Sequence, residues 1–565
     1  MTLEERRREI LDRYPVWENL TIWEWFARTE KVCPQKVFYI DDAVSYTYCQ
    51  VAWMAREAGD AMESLGVRPG EPVAILMGNR VEFAAFTFGA ARLGAVKVPI
   101  NRQCGPEEIR YILKKTQARL LVTDRPELKG QLGDVQARIM GWEEFAEAGQ
   151  GCRQDPVGAA EASDQTAESL CDIIFTSGST GSPKGVMLTH SGLLRAAFAA
   201  CLNRGLEFGW RFYIPIPLYH VYGYVEGLLC AVMMEGSLVT GRDKFQPEAA
   251  LKQMEEARVN DILSVPFIMQ KLLDCPALET TDLGALKAIY CSASACPKDL
   301  WKEIQEKFPG REVITGYGMT EVCGASLQTD PGDSWETTVQ YVGRILEGGP
   351  AGVSKCGNSL IEYRVVLADG SEAGDKEFGE LLCRGPVVTR GYYRETEATQ
   401  RAFTPDGWFR TGDIGYFEKN GYLRLLGRCN DIYKINGENV SPQFLDRVIQ
   451  RCPEVEAVET VGVPDSKVGW IGVAFIDNGQ GGAKSQERIK EWCRQNLASF
   501  QVPHRFFFES SADWPRTTNG KIQKYKLRQI AQARLEEEDD RLSRDQGKNR
   551  MSAYGFQQRA GLSGQ

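Results

Sequence analysis

The stretch with the densest chemistry is Thr176-Ser177-Gly178-Ser179-Thr180-Gly181-Ser182-Pro183-Lys184-Gly185, set between two apolar runs, Asp172 to Phe175 and Val186 to Thr189. Its glycines let the backbone turn N–H groups inward, its hydroxyls add donors, and Lys184 adds a charge, a combination that suits a polyphosphate. A Ser/Gly surface loop is the plain alternative, but a flexible linker is not expected to carry Pro183-Lys184-Gly185 between two strand-like runs. A P-loop is excluded, because that pattern leads through Gly-Lys-Ser/Thr from a strand into a helix, whereas here Pro183 precedes the lysine and a second strand follows.

Further motifs follow in order: Pro217-Leu218-Tyr219-His220, Gly316-Tyr317-Gly318-Met319-Thr320-Glu321, Gly407-Trp408-Phe409-Arg410-Thr411-Gly412-Asp413, Gly427-Arg428-Cys429-Asn430-Asp431 and Pro515-Arg516-Thr517-Thr518-Asn519-Gly520-Lys521. Together with the loop they resemble the adenylate-forming superfamily of acyl-CoA synthetases, luciferases and peptide-synthetase adenylation domains, over roughly residues 20 to 530. The resemblance implies that Thr176 to Gly181 and Lys184 bind the phosphates, that Ser294 and Gly316 to Met319 line the nucleotide with Tyr317 stacked on adenine, and that Thr320 meets the α-phosphate. It implies Glu321 as the Mg2+ ligand, Asp413 and Arg428 at the ribose, and Lys521 as the adenylation lysine. Asn430 stands at the implied hinge, and Lys434 and Gly437 belong to a loop lining the CoA pantetheine tunnel.

The residue types fit those roles. A carboxylate at Asp413, in a Gly-flanked turn, can accept both hydrogens of a ribose diol, the use acidic residues have in dinucleotide folds; a turn-forming Asp is the other reading. A hard cation that holds phosphates takes one or two carboxylates plus water, and Glu321 supplies one. A charge at Lys521 between carboxylate and α-phosphate would stabilise the transition state electrostatically. His220 is either a hydrogen-bonded structural histidine or one wall of the acyl site. In the second case it positions substrate, because a carboxylate nucleophile is already ionised at neutral pH. Two places depart from the family pattern: Asn430, where Asp or Lys is common, and Ser292-Ala293-Ser294, where Gly-Gly-Ala is common.

These residues need a scaffold. Short apolar runs such as Val73 to Met77, Leu120 to Thr123, Ile262 to Pro266, Ala288 to Cys291 and Glu312 to Thr315 alternate with helical periodicity, which predicts an α/β fold with mostly parallel sheets. The expected organisation is a large domain over 1–427, a hinge at 428–431, a small mobile α/β lid over 432–535 and a charged, disordered tail over 536–565. The 565 residues carry a net charge of −9, which argues against nucleic acid as a partner. No apolar stretch reaches membrane-spanning length, and the sixteen cysteines, without a Cys-x-x-Cys, read as cytosolic thiols; a cytoplasmic monomer or homodimer is expected. Cys291 and Cys296 read as small buried residues.

The expected reaction is ATP-dependent activation of a carboxylic acid to an acyl-adenylate, then transfer to CoA. Transfer to a carrier protein and an inactive nucleotide-binding homologue are the alternatives. The aromatics Tyr219, Tyr222, Tyr224 and Phe267 suggest an apolar or aromatic acyl pocket, or one that cages a quaternary ammonium, against a reading as ordinary core.

Overall fold

The computed structural model describes residues 1–42, 44–149, 165–176, 183–241, 245–293, 298–367, 369–428, 433–435, 438–440, 442–465, 468–479, 481–515, 522, 524 and 526–538. The chain divides into two compact units: Met1–Asn430 with Asn436–Asn439, and Asp431–Ile435 with Val440–Gln565.

The large unit is built around two sheets. One runs in the order Glu312–Ile314, Ala288–Cys291, Asp261–Ser264, Arg211–Tyr213, Ser237–Thr240, Val37–Asp41, Val44–Thr47, and its pairings are parallel except the last. The other runs Arg138–Met140, Leu120–Thr123, Pro72–Leu76, Val96–Pro99, Leu170–Thr176, Lys184–Thr189, again parallel up to a final antiparallel hairpin. Central strands such as Ala288–Cys291 are buried at every position, as expected where helices cover both faces of a parallel sheet. Thr-x-x-Glu/Gln capping boxes at Thr2, Thr21 and Thr47 open helices Leu3–Arg13, Ile22–Val32 and Tyr48–Ser64. Helix Val81–Leu93 lies so close to Tyr48–Ser64 that a Cβ on Gly89 would sit 2.6 Å from the Ala55 carbonyl oxygen.

Two antiparallel sheets join the parallel ones. Glu362–Val366, Gly379–Arg384, Phe409–Phe417 and Leu423–Arg428 form one, and Gly316–Met319, Gly324–Gln328 and Arg344–Ile345 form the other. Both carry residues singled out by the sequence motifs. The α/β class and the mostly parallel main sheets are as expected; the antiparallel additions were not anticipated.

The small unit has a three-stranded sheet, Ala457–Asp465 antiparallel to Gly469–Asp477, with Arg505–Phe508 parallel to the latter. Helices Pro442–Ile449 and Ala483–Asn496 cover one face through Leu445, Ile449, Ile489 and Cys493, while Trp514, Leu527 and Ala531 cover the other. The described cysteines of both units are free thiols, Cys291 among the buried ones; Cys296 lies outside the described residues. No helix among the described residues is long and apolar enough to cross a membrane.

Candidate active site

The loop singled out first is the connection of a hairpin. Leu170–Thr176 pairs antiparallel with Lys184–Thr189, and Thr176 faces Lys184 as the closing pair. Ser177, Gly178, Ser179, Thr180 and Gly181 lie outside the described residues. Lys184 is half-buried, with its Nζ 4.8 Å from the centroid of the Tyr392 ring. Burial holds its ammonium below the ordinary lysine range, while the charge of Glu321 works the other way.

Tyr392 also donates its hydroxyl to Glu321 Oε1 at 3.1 Å, so one aromatic side chain touches both the proposed phosphate lysine and the proposed metal ligand. The segment carrying it is stitched to both elements. Met187 N–H donates to the Gly391 carbonyl at 3.1 Å and Tyr393 N–H to that of Gly185 at 2.7 Å, while Thr389 N–H donates to the Glu321 carbonyl at 2.7 Å. Tyr392 was not among the residues singled out in the sequence; the one local signal is an aromatic pair directly after Gly391.

Glu321 stands in the short 3-10 turn Thr320–Val322 that follows strand Gly316–Met319, and Thr320 beside it is buried. The Gly-Tyr-Gly spacing has a steric cause: a Cβ on Gly318 would lie 1.8 Å from the Gly324 carbonyl oxygen on the facing strand. Between those glycines Tyr317, 8% exposed, donates its hydroxyl to Asp413 Oδ2 at 2.6 Å. Asp413, itself 5% exposed, is fixed by an Asp413 N–H bond to Thr411 Oγ1 at 3.0 Å and faces Arg428 across the strand pair. Arg428 is described in its backbone, and its side chain lies outside the description. The structure therefore brings the Tyr317 and Asp413 motifs into direct contact although 96 positions separate them.

Ser292 donates its hydroxyl to the Gly316 carbonyl at 2.8 Å, tying the Ser292-Ala293 turn to the same strand. Ala293 has φ of +73°, the left-handed region that favours glycine, which explains why glycine is common in the family pattern there. Ser294 lies outside the described residues.

His220 caps the turn Val221–Gly223: its Nδ1 accepts from Tyr222 N–H at 3.3 Å. With Nδ1 used as an acceptor, a neutral ring carries its proton on Nε2, a donor suited to holding a substrate oxygen and not to removing a proton. The aromatic run after it corrects the expectation of an acyl cage. Tyr222 donates its hydroxyl to the carbonyls of Ser264 at 3.1 Å and Tyr290 at 2.7 Å, and Tyr224 is buried against Lys97; both are core residues with their polar ends occupied. Tyr219 is also buried, and Phe267 is half-buried with Lys271 Nζ 4.4 Å from its ring centroid. After Tyr224 the helix widens into a π-helical turn, Tyr224–Leu229, a local form that is frequent at functional sites. It buries Glu226, whose carboxyl burial pushes up to about 7.

In the small unit Lys434 lies on strand Tyr433–Ile435. Asn430, Gly437 and Lys521 lie outside the described residues. Nearby in sequence, Lys524 bridges Asp446 at 2.5 Å and Glu459 at 2.9 Å, which anchors the chain just beyond Lys521 to the sheet and its first helix.

The chain is similar to known proteins of one family. The AMP-binding enzyme family model matches residues 26–393, and the model of the AMP-binding enzyme C-terminal domain matches residues 445–521. The chain is 29% identical to a putative acyl-CoA synthetase, YngI, of Bacillus subtilis (strain 168), over 90% of this chain and 96% of that protein. It is 31% identical to the 3-[(3aS,4S,7aS)-7a-methyl-1,5-dioxo-octahydro-1H-inden-4-yl]propanoyl:CoA ligase of Mycobacterium tuberculosis (strain H37Rv), over 84% and 91% respectively. Among solved structures, an o-succinylbenzoate CoA synthetase from Bacillus subtilis bound to a product analogue shares the fold, with a TM-score of 0.78 at 23% identity over 91% of this chain and 99% of that one.

Proposed function

Because the chain belongs to the AMP-binding enzyme family, we propose that it is an AMP-forming acid–thiol ligase that activates a carboxylic acid with ATP and passes the acyl group to CoA. In the first step a carboxylate oxygen attacks the α-phosphorus, the bond to the β-phosphate oxygen breaks, and pyrophosphate leaves with that electron pair. In the second the CoA sulfur attacks the acyl carbon of the mixed anhydride, and AMP leaves. No general base is needed for the first step, which is consistent with the use of His220 Nδ1 as an acceptor.

The observation that carries this reading is the convergence of Lys184 and Glu321 on Tyr392 at the closed end of the Thr176–Lys184 hairpin. A cation and a carboxylate held together there suit a polyphosphate and its counter-ion. Lys184 and the Ser177–Gly181 backbone take the β- and γ-phosphates, and Thr320 the α-phosphate. Tyr317 and Asp413 together hold the adenosine, with Arg428 at the ribose. The Glu321 carboxylate, a hard oxygen donor, fits Mg2+, which when bound neutralises phosphate charge. Lys521 brings the charge that develops between carboxylate and α-phosphate to balance, and Lys434 and Gly437 guide the pantetheine arm.

The acid is apolar, by likeness to a relative that is a ligase for a fused-ring propanoate. Pyrophosphate release measured over short, medium, long, aromatic, alicyclic and betaine acids tests the proposal. One acid is expected to give acid-dependent release and a CoA thioester. Release with no thioester would favour a carrier protein as acceptor, and ATP binding without release on any acid would mean a nucleotide-binding homologue without ligase activity.

A further inference from the structure

Lys97 lies on strand Val96–Pro99 with 2% of its side chain exposed. Its Nζ is 3.1 Å from Asp172 Oδ1, donates to Thr87 Oγ1 at 3.2 Å, and stands 3.6 Å from the centroid of the Tyr224 ring. Tyr224 in turn donates its hydroxyl to Asp172 Oδ2 at 3.4 Å. Lys97 and Asp172 are direct partners across the parallel strand pair. Burial lowers the affinity of Lys97 for its proton and Asp172 opposes that loss. The same charge helps keep the buried His190 neutral.

Two of these neighbours sit on elements that deliver the proposed catalytic groups. Asp172 is on the strand that ends at Thr176, and Tyr224 opens the π-helical turn that follows His220. Thr87, on helix Val81–Leu93, fixes the cluster from behind. A buried ion pair is weak evidence of stabilisation, because apolar side chains of similar volume hold such a site as well or better. What they lack is direction: the ammonium, the carboxylate and the ring face each fix an orientation.

We propose that Lys97 is a positioning residue for acid activation, holding the phosphate hairpin and the His220 turn in register through Asp172 and Tyr224. The inference rests on the function proposed above. Misplacement of a reacting group by about 1 Å costs on the order of a hundredfold in rate, so loss of this register reads out kinetically even where the fold survives.

The test uses the full chain with Lys97→Met/Asp172→Leu as a double variant, which leaves no unpaired buried charge, and Tyr224→Phe and Tyr224→Leu as separate variants. The readouts are the urea midpoint, kcat and KM for ATP in pyrophosphate release, and the Kd of α,β-methylene-ATP with Mg2+. The double variant is expected to keep the parental midpoint while kcat/KM for ATP falls by about tenfold or more. Tyr224→Phe, which keeps the ring over Lys97, stays within about threefold of the parent, and Tyr224→Leu follows the double variant. A folded double variant with parental kcat/KM and analogue Kd overturns the proposal. If the double variant does not fold, the Tyr224 pair decides, and parental values for both overturn it. A parent that binds the analogue but releases no pyrophosphate on any acid defeats the functional reading alone, and the analogue Kd then decides the role of Lys97. A parent that binds no analogue defeats both.

Discussion

Asp413 accepts the Tyr317 hydroxyl at 2.6 Å from a site that is nearly closed to water, so the carboxylate both orients the proposed adenine platform and serves the proposed ribose site. Asp413→Ala removes a charge-assisted hydrogen bond of about 1.5–3 kcal/mol, which corresponds to a rise in KM for ATP of roughly tenfold to a hundredfold, with KM for CoA unchanged. Unchanged ATP dependence in steady-state kinetics would remove Asp413 from the nucleotide site. Glu321 is expected to behave differently. Glu321→Gln keeps an oxygen for the Tyr392 hydroxyl but loses the charge that binds a hard cation, so turnover falls strongly at low Mg2+ and is partly restored by excess. Normal turnover of the variant at low Mg2+ would exclude Glu321 as a ligand. Asp413 and Glu321 were singled out in the sequence because each ends a motif of fixed spacing. Tyr392 was not, because the contacts that give it a role reach strands far away in sequence and no local pattern encodes them. Tyr222 was left open between pocket and core, because its hydroxyl partners Ser264 and Tyr290 are equally remote in sequence.

At the scale of elements, the apolar runs Ala288 to Cys291 and Leu120 to Thr123 emerged as strands at the expected residues because strands covered on both faces read as continuous hydrophobic blocks. The four-stranded sheet that carries Asp413 was not read, because Phe409–Phe417 contains Gly412, Asp413 and Gly415, residue types depleted in strands that read as a turn. Helix His190–Arg204, which follows the phosphate hairpin directly, makes a stability prediction. His190 Nδ1 accepts from Ile22 N–H, and burial, aided by the charge of Lys97, pushes its pKa down to about 3. Between that value and an unfolded value near 6.5 the unfolded chain binds a proton that the folded one does not, so stability falls as pH drops through this window, by about 1.4 kcal/mol per unit. His190→Asn keeps an acceptor for Ile22 without titrating. The stability advantage of the parent over the variant should therefore shrink by about 2 kcal/mol between pH 7.5 and 5 in urea unfolding. An advantage independent of pH would show that His190 takes up its proton equally in the folded and the unfolded chain.

For the whole molecule, the sequence motifs span both compact units: the phosphate hairpin, the Tyr317 strand and Asp413 belong to one, and the Lys434 strand and the segment around Lys521 to the other. Lys524 is anchored by Asp446 and Glu459 within the small unit. The family was legible from motif order alone. The identity of the acid was not, because an acyl pocket is shaped by side chains from many elements and no spacing rule links them. The proposed chemistry is tested most directly by Lys521→Ala assayed on the two half-reactions separately: acid-dependent pyrophosphate release, and thioester formation from preformed acyl-adenylate and CoA. Loss of the charge at the α-phosphate should lower the first by about a hundredfold or more and leave the second within a few-fold of the parent. Equal loss of both, or a variant that still releases pyrophosphate at the parental rate, would contradict activation through an acyl-adenylate at this site.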